Sequence, residues 1–247
     1  MPRTGEEAGV EIKVSFDQQV PSALAKLGLE DHGEPRRIGF LEDITVGLTL
    51  PLFQQGIVLR VRQIDDDYDD ATVKLRPCRR SQLAGNWLGA EEGDGWKLTV
   101  EQDWAGPRRV LAASCGSKLP NNRIASVQEG FEPVHRLFSQ GQARFLSDCV
   151  GTPIHLDALT LLPLVTATRW KKVRVGSVRD VIAERWIIND LDFLELSIRS
   201  DTIADARPAQ QELEREVRAL NLQPDKAKES KTERVLTHLV GPTAATT

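Results

Sequence analysis

Residues 57–64 read IVLRVRQI, with Arg60 and Arg62 on one parity and Leu59 and Val61 on the other. A period of two marks a β-strand with one apolar and one polar face, because successive side chains point to opposite sides of a sheet. The pattern returns along the chain. Glu11, Lys13 and Ser15 alternate with Val10, Ile12, Val14 and Phe16; Lys74 and Arg76 alternate with Val73 and Leu75. Lys97, Thr99 and Glu101 alternate with Trp96, Leu98 and Val100, and Lys172 and Arg174 with Val173 and Val175. Glu195, Ser197 and Arg199 alternate with Leu194, Leu196 and Ile198. Strands of this kind require a sheet whose apolar face is covered by helices or by another sheet.

The connecting segments supply helices. Residues 20–29 read as a short helix ended by Gly28, and 207–220 as an amphipathic helix opened by Pro208. Residues 230–240 read as a helix with Ser230 as N-cap and Glu233 completing a capping box. Residues 124–149 read as helical, with Phe131, Val134, Leu137 and Phe138 along one face and Gly141 placed to break the helix in two. Residues 57–76 form a hairpin around the acidic run DDDYDD at 65–70, which reads as a solvated turn. Further strands are expected at 36–41, 95–103, 107–115, 166–175, 180–188 and 191–199, with a connection around Pro51 at 48–56. No repeat and no linker composition separates domains, so residues 1–240 read as a single α+β domain and 241–247 as a disordered tail.

Composition bounds the function. A chain of 247 residues can bury a sizeable core. Its formal charge of −4 argues against general nucleic-acid binding. No apolar run is long enough to cross a bilayer, and MPRTGEEAGVEIK lacks the apolar core of a signal peptide, so no membrane partner is expected. Cys78, Cys115 and Cys149 are odd in number and widely spaced, which points to reduced thiols in a cytoplasmic protein. His32, His135, His155 and His238 fall in no zinc-like spacing.

The polar faces leave two arrangements open. Alternation alone is what an antiparallel sheet with one solvated face shows. The alternative is a closed barrel with its charged faces inward. The polar positions carry far more Arg and Lys than Asp and Glu although the chain is net acidic, and helices are available to cover the outside. Two like charges 4 Å apart repel by about 4 kcal/mol at an effective dielectric of 20, so a cationic lumen favours a dense anion, and Arg forks match phosphate oxygens.

In this order the motifs resemble the CYTH superfamily, the triphosphate tunnel metalloenzymes, over residues 9 to 240. Gly9-Val10-Glu11-Ile12-Lys13 stands where that family has E-x-E-x-K. Gly56-Ile-Val-Leu-Arg60-Val-Arg62 resembles its G-x-x-L-R-x-R strand, Thr72-Val-Lys74-Leu-Arg76 its T-x-K strand, and Phe193-Leu-Glu195-Leu-Ser197 its late F-x-E-x-E strand. The resemblance implies an eight-stranded antiparallel barrel, a tunnel with helices outside. It implies hydrolysis of inorganic or organic triphosphates, with adenylate cyclisation a minority activity for which no adenine pocket is visible here. Arg60, Arg62, Lys74, Arg76 and Arg174 would hold phosphates, with Lys97, Lys172 and Arg199 as lesser candidates. Glu11 and Lys13 would be catalytic. Glu11 and Glu195, with Glu101 next, would hold Mg²⁺ or Mn²⁺. Gly9 and Ser197 each lack a carboxylate that the family supplies, and Glu7 has the parity to compensate. The expected partner is therefore a small phosphorylated anion (triphosphate, polyphosphate or nucleotide). The protein would hydrolyse it with a divalent metal or, as a weakened relative, bind it without turnover.

Overall fold

The alternating segments fold as strands because each can bury its apolar parity. A computed structural model describes residues 9–29, 32–45, 47, 49–64, 68–83, 85–87, 92–225 and 230–241. The elements are β1 (Gly9–Phe16), α1 (Val20–Leu27), β2 (Glu34–Glu42), α2 (Pro51–Gln54), β3 (Ile57–Ile64), β4 (Asp69–Leu75), β5 (Glu92–Gly93), β6 (Trp96–Ala105) and β7 (Arg108–Leu119). They continue with α3 (Arg123–Gln128), α4 (Gln140–Cys149), β8 (Thr160–Leu161), β9 (Val165–Val175), β10 (Val178–Ile188), β11 (Leu191–Ser200), α5 (Ile203–Ala219) and α6 (Lys231–Val240).

The strands hydrogen-bond in the order β1-β11-β10-β9-β2-β3-β4-β7-β6-β5, with β8 on β2 and a further pairing of β1 with β6. The sheet thus has eleven strands, not the eight the family resemblance implies; β5 and β8 are only two residues long. The β1–β11, β10–β11, β9–β10, β3–β4 and β4–β7 pairings are antiparallel, and β1–β6 is parallel.

By its contacts the chain divides into two compact units. The first comprises Met1–Arg36, Val100–Ala112 and Val165–Ala227. Here Val10, Ile12, Val14 and Phe16 of β1 share a core with Leu194 and Leu196 of β11, Val181 and Ala183 of β10, and Leu213 and Val217 of α5. Val20, Ala23 and Leu24 of α1 complete it. The second unit comprises Arg37–Thr99, Ala113–Leu164 and Lys228–Thr247. Leu59, Val61, Val73 and Leu75 are buried there. The side-chain nitrogen of Gln142 in α4 donates to the carbonyls of Ala71 (3.0 Å) and Cys115 (2.9 Å), and its oxygen accepts from Ser117 Oγ at 2.7 Å. These bonds satisfy a fully buried amide, which would otherwise be costly to desolvate.

Helix boundaries depart from expectation where capping chemistry intervenes. The 124–149 segment is two helices separated by a 3₁₀ turn, Val134–Leu137, and the second starts at a capping box in which Ser139 Oγ accepts from Gln142 N. Gly141 lies inside α4 and breaks nothing. Helix α5 is opened by Thr202, whose hydroxyl caps Asp205 N, and Pro208 sits in the helix interior. The missing Pro N–H forfeits one helical bond, offset here by burial of Ala206, Gln210, Leu213 and Val217. The Ser230–Glu233 capping box is present as read. Asp69 and Asp70 belong to β4, not to a turn, while Asp65–Asp67 and the tail beyond Gly241 lie outside the described residues. Among the described residues no helix is long and apolar enough to cross a membrane.

All three cysteines are buried and free. Burial pushes the thiol of Cys78 up to about 11 and those of Cys115 and Cys149 up to about 12. An unfolded thiol ionises near about 8.5. The buried thiols therefore favour the folded state below that value, and this contribution is lost as pH rises through 11–12. Thiol titration with an aromatic disulfide at pH 8 is expected to leave the native chain unmodified and to modify all three cysteines after denaturation. Rapid modification of the native chain would contradict their burial.

Candidate functional site

Both units carry a polar face that is drawn in from solvent. In the first unit the register β1–β11 places Ser15 opposite Glu195, Lys13 opposite Ser197 and Glu11 opposite Arg199. The parallel pairing with β6 places Glu11 opposite Asp103 and Gly9 opposite Glu101. Lys13 Nζ lies 2.7 Å from Glu11 Oε2 and 3.1 Å from Asp103 Oδ2. The Lys13 side chain is 11% exposed and that of Asp103 0%, so the ammonium and at least one carboxylate are held away from water. Ser15 Oγ donates to Glu195 Oε2 at 3.4 Å. Glu195 is opposite Glu184, which in turn is opposite Arg169. Like charges directly opposite on neighbouring strands are destabilising, and Arg169 offsets this pair. Arg199 lies 3.7 Å from Glu101 and is largely exposed. Arg174 is exposed, and its Nε donates to the carbonyl of Gly176 at 2.8 Å. Lys172 is also exposed.

In the second unit, β3 and β4 bring Arg60, Arg62 and Lys74 to one face, and Arg76 follows the end of β4. Arg60 is opposite Thr72, Arg62 opposite Asp70, and Val58 opposite Lys74. Arg60 and Lys74 are therefore diagonal neighbours, about 7–8 Å apart at the backbone. Arg62 is clamped by Asp70 in a fork: Nε donates to both carboxylate oxygens (2.9 and 3.0 Å) and Nη2 lies 2.8 Å from Oδ2. This bidentate geometry fixes the guanidinium plane. Arg76 N donates to the carbonyl of Gly56 at 2.6 Å. Gly56 has φ +75°, and a Cβ there would stand 3.2 Å from the Arg76 carbonyl oxygen. Glycine is thus needed both for its left-handed backbone and for the approach of the strand end that carries Arg76. Arg60, Arg62, Lys74 and Arg76 are half-buried, and Thr72 among them is buried. Lys97, by contrast, is exposed.

Among solved structures the chain is similar over 94% of its length to a candidate adenylate cyclase from Bacillus halodurans, with 13% identity, 98% of that chain covered and a TM-score of 0.59. It is similar over 90% of its length to a candidate adenylyl cyclase of Hippeastrum whose dominant activity is that of a triphosphatase, with 13% identity, 93% of that chain covered and a TM-score of 0.56. The fold is CYTH-like. No family model matches the sequence. No curated protein matches it either.

The CYTH pattern supplies carboxylates for Mg²⁺ or Mn²⁺, but the acids here, as arranged, do not fit that group. Glu195 is opposite Ser15, four residues along β1 from Glu11. At about 3.4 Å per residue this separates the two expected ligands by roughly 14 Å along the strand. Glu11 and Asp103 do converge on one point, but the Lys13 ammonium occupies it. Among the described residues no three His, Cys, Asp or Glu side chains group as metal ligands. A hard dication wants six oxygen donors in near-octahedral array. Glu101, across from Gly9, supplies a carboxylate beside the missing one, while Ser197 is buried and Glu7 lies outside the described residues.

Sequence reasoning singled out Glu11, Lys13, Glu195, Arg60, Arg62, Lys74 and Arg76 on polar faces, and the structure groups the last four on one hairpin. It missed Asp103, Asp70, Glu184 and Arg169. Asp70 lay inside the acidic run read as a turn, and only a register counted outward from Asp66 pairs it with Arg62. Asp103 was out of reach, because its neighbours come from the parallel β1–β6 pairing, which leaves no local trace.

Proposed function

We propose that this chain binds a triphosphate-bearing anion, inorganic or organic, through the cationic face of β3 and β4, and that binding requires no divalent metal. The observation that carries this reading is the half-buried set Arg60, Arg62, Lys74 and Arg76 at the β3–β4 hairpin, with Arg62 held in a fork by Asp70. Cationic side chains gathered where water reaches them only in part repel one another. A polyphosphate relieves that repulsion, and guanidinium forks suit its oxygens. Asp70 orients Arg62 before the ligand arrives, so less side-chain freedom is lost on binding. Lys13, placed between Glu11 and Asp103, is in this reading a positioning residue that holds β1 to β6, and the exposed Arg174 has no assigned part. The inward-facing barrel lumen expected from the sequence belongs to the same proposal, which is supported by the CYTH-like fold.

Calorimetry with tripolyphosphate in the presence and absence of EDTA tests this. Saturable binding of equal affinity in both supports it; affinity that collapses in EDTA overturns the metal-independent reading. The triphosphatase activity of the Hippeastrum neighbour favours a second reading, in which Mg²⁺ or Mn²⁺ enters with the substrate and the chain hydrolyses it. Release of phosphate from tripolyphosphate with either metal supports that reading, and none at high protein concentration removes it.

A further inference from the structure

The chain from Ala71 to Ala90 holds no Asp or Glu but carries Lys74, Arg76, Arg79 and Arg80, in a protein whose formal charge is −4. Lys74 and Arg76 belong to the anion site proposed above. Arg79 and Arg80 lie outside every motif, and both are exposed. They follow Arg76 by three and four residues, so their backbones lie within about 11 and 14 Å of it. All of these residues belong to the second unit.

The turn that presents the two arginines is held at several points. Gly56 fixes where it starts: its carbonyl accepts from Arg76 N, and a Cβ there would stand 3.3 Å from the Pro77 carbonyl oxygen. Cys78 and Leu83 are buried on either side of the arginines. Cys78 Sγ donates to the Arg79 carbonyl at 3.4 Å. Gln82 closes the turn from both directions. Its side-chain oxygen accepts from Arg79 N at 2.6 Å, and its own N–H donates to the Arg79 carbonyl at 2.9 Å. The backbone is thus fixed while both guanidinium groups reach water. Cations gathered this closely beside Arg76 repel one another and favour an anion, and guanidinium forks suit phosphate oxygens. Charge at the rim of a site draws its ligand in and is screened by salt.

We infer that Arg79 and Arg80 form the outer rim of the anion site, drawing a polyphosphate toward Arg76 and holding its outermost charge; the class of ligand rests on the function proposed above. Tripolyphosphate binding in EDTA is measured by calorimetry at low and high salt for the wild-type chain, Arg79→Gln, Arg80→Gln, the double variant and Arg144→Gln. Arg144 is the control. It is exposed on α4, which packs through Gln142 on the other face of β4 and β7. The double variant is expected to bind about threefold to tenfold more weakly at low salt, with the difference shrinking as salt rises, because exposed charges contribute modestly and are screened. Each single variant should lose less, and Arg144→Gln should bind as the wild type does. Thermal unfolding of each free protein checks its fold, and if the double variant does not fold the single variants decide. A folded double variant with unaltered affinity at low salt, or an equal loss in Arg144→Gln, removes the rim and leaves the function proposed above standing. If the wild type itself fails to bind, the function reading falls and this inference with it.

Discussion

Replacing Lys13 with Met is expected to destabilise the fold by about 3–5 kcal/mol, because it leaves a buried charge uncompensated. Asp103 is fully buried and Glu11 half-buried, and both carboxylates have Lys13 within ion-pair distance. Without the ammonium, two like charges on neighbouring strands face each other in a low-dielectric setting, and the parallel β1–β6 pairing must hold against them. Urea unfolding measures the loss as a shift of the midpoint. The double variant Lys13→Met with Asp103→Asn is expected to recover much of it, since the charge left stranded has been removed. A single variant as stable as wild type would show that these side chains are solvated and that the polar face of the first unit is not enclosed.

Removing two cations from the second unit is expected to have the larger functional effect. Arg60→Ala together with Arg76→Ala should weaken tripolyphosphate binding about a hundredfold or more. Hydrogen bonds to charged groups contribute about 1.5–3 kcal/mol each, or roughly tenfold to a hundredfold per residue. Each single variant should lose about tenfold. Arg62→Ala also leaves Asp70 without its fork, so its effect mixes ligand binding with stability and is less informative. Calorimetry on the folded variants reads the change directly. Unaltered affinity in the double variant would remove the β3–β4 face from the binding account.

What was legible in the sequence follows from how local each signal is. Period-two alternation is written within six to eight residues, so β1, β3, β4 and β11 and the burial of their apolar parity could be read before any coordinates. The short strands β5 and β8 could not. Two residues make no pattern, and they are strands only because β6 and β2 lie beside them. Ser139 and Gln142 form a capping box of the same kind as Ser230 and Glu233, so the start of α4 was readable; the hydrophobic spacing of 124–149 outweighed it wrongly. The carboxylate neighbours of Lys13 depend on a pairing of residues 9–13 with 101–105, and such long-range register has no sequence mark.

Calorimetric titration of tripolyphosphate into the wild-type chain, in EDTA and at two salt concentrations, puts the whole account at risk in one measurement. Saturable binding that weakens as salt rises is the predicted result, because charge on a partly enclosed cationic face carries the affinity. No saturable binding at low salt, with the chain shown to be folded, would contradict it.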